Sequence, residues 1–229
     1  MFPKGLIVSS QALAGNPMLD PEKLAAMAEA AAIGGASALR LNGSDVISIV
    51  SKKVNIPIIG INKIKDETGR TVITPTFELA KEVADAGASI IALDACFYPS
   101  SVKEDLKTLI ERIHNELNVM VMADISTLEE AEAAALAGAD AVSTTLAGYV
   151  PDALHTPEEL YTPNYKLISD IAEKNLPVSL VAEGRFWTPE AVAKAYKCGA
   201  DAVVIGKAIT NQIAITKYFI TKSQEAMQK

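Results

Sequence analysis

Apolar residues in this chain fall in short unbroken runs separated by stretches of helical periodicity. Four runs share one lead-in, Gly-Ala-(Ser/Asp): Gly35-Ala36-Ser37-Ala38-Leu39, Gly87-Ala88-Ser89-Ile90-Ile91, Gly138-Ala139-Asp140-Ala141-Val142 and Gly199-Ala200-Asp201-Ala202-Val203. The spacings between their glycines are 52, 51 and 61 residues, and an Ala-rich amphipathic stretch precedes each copy, as at 23–33 and 129–137. The pattern predicts a helix closed by a left-handed glycine, a short turn, and a buried strand. Further runs lie between the copies at 56–61, 119–123 and 177–182, and another opens the chain at 6–10. Eight apolar runs, each followed by a helical pattern, result.

Continuous apolarity suits strands covered on both faces, and hence a parallel sheet. Eight βα units with a two-unit repeat predict an α/β fold, a (β/α)8 TIM barrel forming one domain over 1–229. A doubly wound open sheet is the alternative. No Gly-x-Gly-x-x-Gly follows the first run, so a dinucleotide fold has no support.

Composition narrows the chemistry. The chain is 49% hydrophobic and 21% charged, with a net charge of −7, which argues against disorder and against general polyanion binding. Nucleic acid is therefore not an expected partner. No apolar run reaches the roughly 20 residues of a membrane helix, and 1–8 lacks a signal-peptide pattern, so a cytoplasmic location is expected. Cys96 and Cys198 are too few for a disulfide framework or a four-cysteine zinc site.

A barrel places its chemistry at the carboxyl ends of its strands. Those ends carry Ser9-Ser10-Gln11, Arg40-Leu41-Asn42, Asn62-Lys63, Asp94, Asp124, Thr144-Thr145, Glu183-Gly184-Arg185 and Gly206-Lys207. Lys63 emerges directly from a buried run, where desolvation and Arg40 would lower its pKa toward neutrality and make it a base. Glu183 is the carboxylate ending the seventh strand. Arg185 is its nearest candidate for a merely structural ion pair. Asp94 and Asp124 could act in the same pocket or simply accept N–H bonds from the next helix. Gly184, Arg185, Gly206 and Lys207 follow the seventh and eighth strands, where this fold often binds phosphate, and a helix starting at Lys207 would aim N–H groups at it.

Other residues carry less. Lys65 is expected in solvent, His114 on an outer helix over 106–117 and His155 in a loop, so no histidine metal site is expected. Cys96 has no histidine nearby in sequence, Cys198 is expected in the core, and Phe186 and Trp187 are expected to pack a loop. The segment 148–165 reads as a loop over the mouth, a lid or decoration.

Taken together these stretches resemble the N-acetylmannosamine-6-phosphate 2-epimerase family of bacterial sialic acid catabolism. The resemblance rests on Gly5-Leu6-Ile7-Val8-Ser9-Ser10-Gln11-Ala12-Leu13, Pro57-Ile58-Ile59-Gly60-Ile61-Asn62-Lys63, Ile73-Thr74-Pro75-Thr76 and Ile91-Ala92-Leu93-Asp94-Ala95. It continues through Met122-Ala123-Asp124-Ile125-Ser126-Thr127-Leu128-Glu129-Glu130, Ser143-Thr144-Thr145-Leu146-Ala147-Gly148-Tyr149, Glu183-Gly184-Arg185 and Ala208-Ile209-Thr210. It implies a barrel that interconverts the 6-phosphates of N-acetylmannosamine and N-acetylglucosamine with no cofactor and no metal. By the same resemblance Lys63 and Glu183 are catalytic, Gln11, Arg40 and Asp124 contact substrate, and Gly184, Arg185 and Gly206 bind phosphate. The expected partner is a phosphorylated N-acetyl amino sugar. A homodimer is compatible with the sequence but not read from it.

The chain also departs from the family. Ile64-Lys65-Asp66-Glu67 follow the lysine where Arg and then Tyr are usual, and Phe97-Tyr98-Pro99-Ser100 replace an arginine-bearing loop. Asn211 stands for a phosphate-binding arginine, and Lys207 for a glycine. Lys207 is thus the cation placed to restore the lost charge. A lysine Schiff-base aldolase acting on a phosphorylated keto sugar and a non-catalytic sugar-phosphate-binding barrel remain the alternatives.

Overall fold

The structure, a computed structural model, describes residues 1–149 and 161–227. Its strands are β1 (Gly5–Ser10), β2 (Ala38–Asn42), β3 (Ile58–Ile61), β4 (Lys63–Lys65), β5 (Thr71–Ile73), β6 (Ile90–Asp94), β7 (Met120–Asp124), β8 (Ala141–Ser143), β9 (Ser179–Glu183) and β10 (Ala202–Ile205). Eight of them close a barrel in the order β1-β10-β9-β8-β7-β6-β3-β2, with β1 pairing in parallel to both β2 and β10. The predicted (β/α)8 architecture is the one observed.

Helices α1 (Pro21–Ile33), α2 (Ser44–Val50), α3 (Phe77–Asp85), α4 (Leu106–Arg112), α5 (Leu128–Leu136), α6 (Tyr165–Glu173), α7 (Pro189–Lys197), α8 (Lys207–Thr210) and α9 (Gln212–Met227) follow the strands. Their starts are written in the sequence. Asp20, Thr76, Thr127 and Thr188 each cap a helix through the side-chain oxygen, with Pro21 and Pro189 in the first turns. Thr127 and Glu130 form a full capping box. Gly35, Gly87, Gly138 and Gly199 all take positive φ, between 95° and 113°, as the repeat predicts.

Two buried layers follow from strand alternation. Ile7, Ala38, Ile59, Ile61, Ile90, Ala92, Met122, Ala141, Val181, Ala202 and Val204 fill the barrel, with Phe2 packed among them. The intervening residues, among them Val8, Leu39, Ile91, Val121, Val142, Leu180 and Val203, pack against the helices. Extending the inner set by two residues reaches Ser9, Arg40, Lys63, Asp94, Asp124 and Glu183. One parity rule therefore turns the polar strand ends toward a common centre.

The sequence reading missed the hairpin β4–β5, which pairs Lys63 with Ile73 and Lys65 with Thr71. Its turn is held by Asp66 Oδ1, which accepts from the amides of Thr68 and Arg70 at 2.9 Å each. The apolar strand β3 thus ends at Ile61, and Lys63 opens a separate hairpin. Lys65 is exposed, as expected. His114 lies on a π-helical turn (Ile113–Leu117) that continues α4, and is 2.9 Å from Asp140. Phe186 departs from expectation: it is buried in the layer between strands and helices, while Trp187 stacks on Tyr218 of α9 at 4.6 Å. Cys198 packs partly buried against that same layer. His155 and most of the 148–165 loop lie outside the described residues.

Candidate active site at the carboxyl end of the barrel

Arg40 is the centre of the site. Its side chain is 1% exposed, and Nη2 lies 2.5 Å from Asp124 Oδ2 while Nη1 contacts Glu183 Oε2. Nη1 also donates to Thr145 Oγ1 at 2.9 Å. One guanidinium thus serves two carboxylates, the arrangement its planar fork permits. Burial works against the guanidinium's charge, but Asp124 and Glu183 outweigh it and hold Arg40 protonated. Asp124 behaves differently from a simple ion-pair partner. Burial pushes its carboxyl up to about 6; Arg40 opposes this, and the negative charge of Glu183 adds to it. A single cation shared by two acids does not compensate both.

Lys63 sits beside this cluster. Its amide donates to Asn42 Oδ1 at 3.1 Å, and its Nζ donates to Gln11 Oε1 at 2.6 Å. The base of the hairpin is clamped by Asn62 and Thr74, which bond through Thr74 N to Asn62 O at 2.8 Å and Asn62 N to Thr74 Oγ1 at 3.0 Å. Burial and then the Arg40 charge bring the Lys63 ammonium down to about 8, against the pull of Glu183 and Asp124. The crowding expected from the sequence is the crowding found.

Glu183 pairs with Arg40. The expected structural partner, Arg185, does not reach it: Arg185 takes a left-handed φ of 64° after Gly184 at 111°, and its Nη2 donates to Ala147 O at 3.1 Å. The backbone reversal turns it away. Glu183 keeps 18% of its side-chain surface exposed and Asp124 none. Of the two carboxylates, only Glu183 can touch a ligand directly.

A second group of cations lies near Tyr149. The Arg185 guanidinium is 5.7 Å and Lys207 Nζ 5.8 Å from its ring centre. Gly184 also approaches this ring, since a Cβ added there would lie 4.0 Å from it. Gly206 packs against Ser9 and precedes α8, which has only four residues. The residues expected to bind phosphate are therefore gathered into one region.

Sequence reasoning left Thr145 without a role, although it was visible as a polar strand end. It also missed the surroundings of Asp94, which accepts from Cys96 N at 3.1 Å, from Lys103 Nζ at 3.0 Å and from the Tyr98 hydroxyl. The Arg70 guanidinium lies over the Tyr98 ring, 3.1 Å from its centre. Burial pushes the Cys96 thiol well up, with Glu130 and Asp94 adding to the effect, which leaves it a poor nucleophile. At the opposite end of the barrel a cavity of about 450 Å³ is lined by Lys4, Asp140 and Asp201 among others. Lys4 pairs there with Asp201 at 2.7 Å, and Asp140 with His114 at 2.9 Å.

Known proteins are similar to this chain in sequence and in fold. A family model described as "Putative N-acetylmannosamine-6-phosphate epimerase" matches residues 24–225. A protein of Caldanaerobacter subterraneus subsp. tengcongensis is 46% identical over 226 residues, covering 96% of this chain and 92% of that protein. One from Thermosynechococcus vestitus is 49% identical over 206 residues, covering 90% and 87%. Both carry the name "Putative N-acetylmannosamine-6-phosphate 2-epimerase". The solved structure of the N-acetylmannosamine-6-phosphate 2-epimerase from Clostridium perfringens is 37% identical, with a TM-score of 0.87 over 94% of this chain and 92% of that one. The matched span includes every strand-end residue from Arg40 to Lys207, and on that ground the chain belongs to the N-acetylmannosamine-6-phosphate epimerase family.

Proposed function

We propose that this barrel, acting as one catalytic domain, interconverts N-acetylmannosamine 6-phosphate and N-acetylglucosamine 6-phosphate by moving a proton at C2, without a metal or cofactor. The observation that carries the reading is the Lys63 amine. It is held by Gln11 and brought down to about 8 beside a buried arginine, next to the one carboxylate of the cluster that a ligand can touch. That is the pairing a carbon-acid reaction on a sugar requires.

The C2 proton becomes acidic only when ring opening exposes the C1 aldehyde. Glu183 exchanges protons with the ring oxygen and the C1 hydroxyl to open the ring. Lys63, neutral, takes the C2 proton to leave a planar enediolate. The Lys63 ammonium, free to exchange with solvent, gives a proton back to the opposite face of C2, which forms the epimer and returns the lysine to its neutral state. Arg40 and Asp124, expected to touch substrate, are buried in this arrangement, so Arg40 acts on the developing enediolate through its fixed charge beneath the site. Arg185 and Lys207, with the backbone at Gly184 and Gly206, hold the phosphate. In a chain of net charge −7 that attraction must be local.

A positioned base contributes about 10²–10⁴-fold, so Lys63→Met is expected to remove most turnover while circular dichroism and melting stay close to the parent. A variant retaining the parental epimerase rate contradicts the role. Borohydride separates this reading from a Schiff-base aldolase, because only an aldolase leaves a reduced adduct on Lys63.

We place the protein in the cytoplasm, since a phosphorylated sugar does not cross membranes unaided; no described helix is long and apolar enough to span one. We also infer a homodimer. Phe219 and Ile220 of α9 are 68% and 50% exposed, and Ile213 is exposed with them, an apolar surface suited to a second copy. Sedimentation giving only a 24.2 kDa species contradicts it.

A further inference from the structure

We propose that Thr145 is a positioning residue whose hydroxyl passes a single proton between Asp124 and Glu183, making buried Asp124 the proton reservoir of the carboxylate that meets the sugar. The proposal rests on the reading above in one respect, that Glu183 exchanges protons with substrate.

The geometry is specific. Thr145 Oγ1 lies 2.5 Å from Asp124 Oδ1 and 3.1 Å from Glu183 Oε2, and it accepts from Arg40 Nη1 at 2.9 Å. Ser143 Oγ is 2.9 Å away. The preceding residue, Thr144, fixes Glu183 at the backbone: its Oγ1 donates to Glu183 O and accepts from Glu183 N, both at 3.0 Å. Two successive threonines on one turn thus hold the main chain and the carboxylate of the same glutamate.

A hydroxyl has one hydrogen to donate. With both acids ionised, that hydrogen can serve only one of them, and the other faces an oxygen lone pair across hydrogen-bond distance. One further proton completes the set. In one state Asp124 is protonated and donates to Thr145, which donates to Glu183. In the other, Glu183 is protonated and donates to Thr145, which donates to Asp124. To pass from the first to the second, the Asp124 Oδ1 proton moves to Thr145 Oγ1 as the threonine's own hydrogen moves to Glu183 Oε2. Two O–H bonds break, two form, and Thr145 ends neutral.

The surroundings favour one shared proton. Arg40 supplies one positive charge to two carboxylates, and Lys63 adds its charge only when protonated. Asp94, in register with Asp124 on the neighbouring strand, is itself answered by Lys103 and Tyr98. Asp124 has no exposed side-chain surface, so the hydroxyl is its route to the ligand-facing acid.

Thr145→Val removes the hydroxyl at similar volume, and Thr145→Ser keeps it. In the free parent protein, ¹³C NMR titration of labelled Asp and Glu carboxyls is expected to show Asp124 and Glu183 responding to one proton at a shared midpoint. Val separates the two curves, lowers kcat by about 10²-fold with KM little changed, and Ser recovers most of the loss. Unchanged titration curves in Val, or a loss in Ser as large as in Val, overturns the relay. The titration needs no turnover, so a parent with coupled carboxyls and no epimerase activity refutes the proposed function and leaves the relay standing.

Discussion

Lys63 Nζ donates to Gln11 Oε1 at 2.6 Å, tying the hairpin β4–β5 to the end of β1 across the mouth of the barrel. A neutral amine that gives one hydrogen to Gln11 has its remaining hydrogen and its lone pair directed by that bond. The amide therefore acts as an aiming device for the base, and it does so without adding charge.

Gln11→Met keeps the length of the side chain and removes the acceptor. A neutral hydrogen bond contributes about 0.5–1.5 kcal/mol, so kcat is expected to fall up to roughly tenfold with an unchanged melting temperature. Steady-state kinetics beside a thermal melt check this. A parental kcat would show that Lys63 is aimed by its backbone alone.

The pH dependence has a definite sign. Lys63 is lowered to about 8, and only its unprotonated form can take a proton. The neutral fraction of Lys63 therefore rises close to tenfold per unit up to about 8 and levels off above it, and the rate follows that rise only while Asp124 and Glu183 keep their shared proton. Direct NMR titration of the Lys63 amine with its midpoint at the ordinary lysine value contradicts a Lys63 base.

Arg40 is the stability hinge of the site. Removing it leaves Asp124 and Glu183 without the cation that hydrogen-bonds both of them, and breaking a buried pair in this way costs about 3–5 kcal/mol. Arg40→Met is expected to lower Tm by roughly 10 °C. Adding Asp124→Asn and Glu183→Gln should recover part of that loss, because the uncompensated charges go with them. No recovery in the triple variant would assign the loss to packing.

What the sequence makes legible depends on periodicity. The barrel, its repeat and the inward polar ends follow from two-residue alternation and from glycines ending helices, as at Gly35 and Gly138, so they were legible. Arg40 stands out as a strand-end cation, but its partners do not: that Glu183 pairs with Arg40 and not with the nearer Arg185 is decided by barrel closure and by the left-handed turn at Arg185, which no local pattern announces. The hairpin after Lys63 was hidden because its three-residue strands are too short to show alternation. Thr145 looked like any strand-end hydroxyl. Beside Ser143, two residues before it, its polar neighbours come from β2, β7 and β9, and only the closed barrel brings those three to it.

Phosphate recognition is expected to show in KM. Lys207→Gly should raise KM for the 6-phosphate with a smaller change in kcat, because the contact persists through the reaction. Charge-assisted bonds are worth about 1.5–3 kcal/mol, so the rise should be at least about tenfold. An unchanged KM would make Lys207 a solvent-facing lysine, and a preference for unphosphorylated N-acetylmannosamine would contradict the phosphate site as a whole.

Proton NMR of N-acetylmannosamine 6-phosphate in deuterated water tests the central claim most directly. With the parent protein the account predicts signals of N-acetylglucosamine 6-phosphate growing in, with deuterium entering C2, and neither change with Lys63→Met. A substrate spectrum that stays unchanged in the presence of the folded parent protein, or that changes equally with the variant, would contradict it.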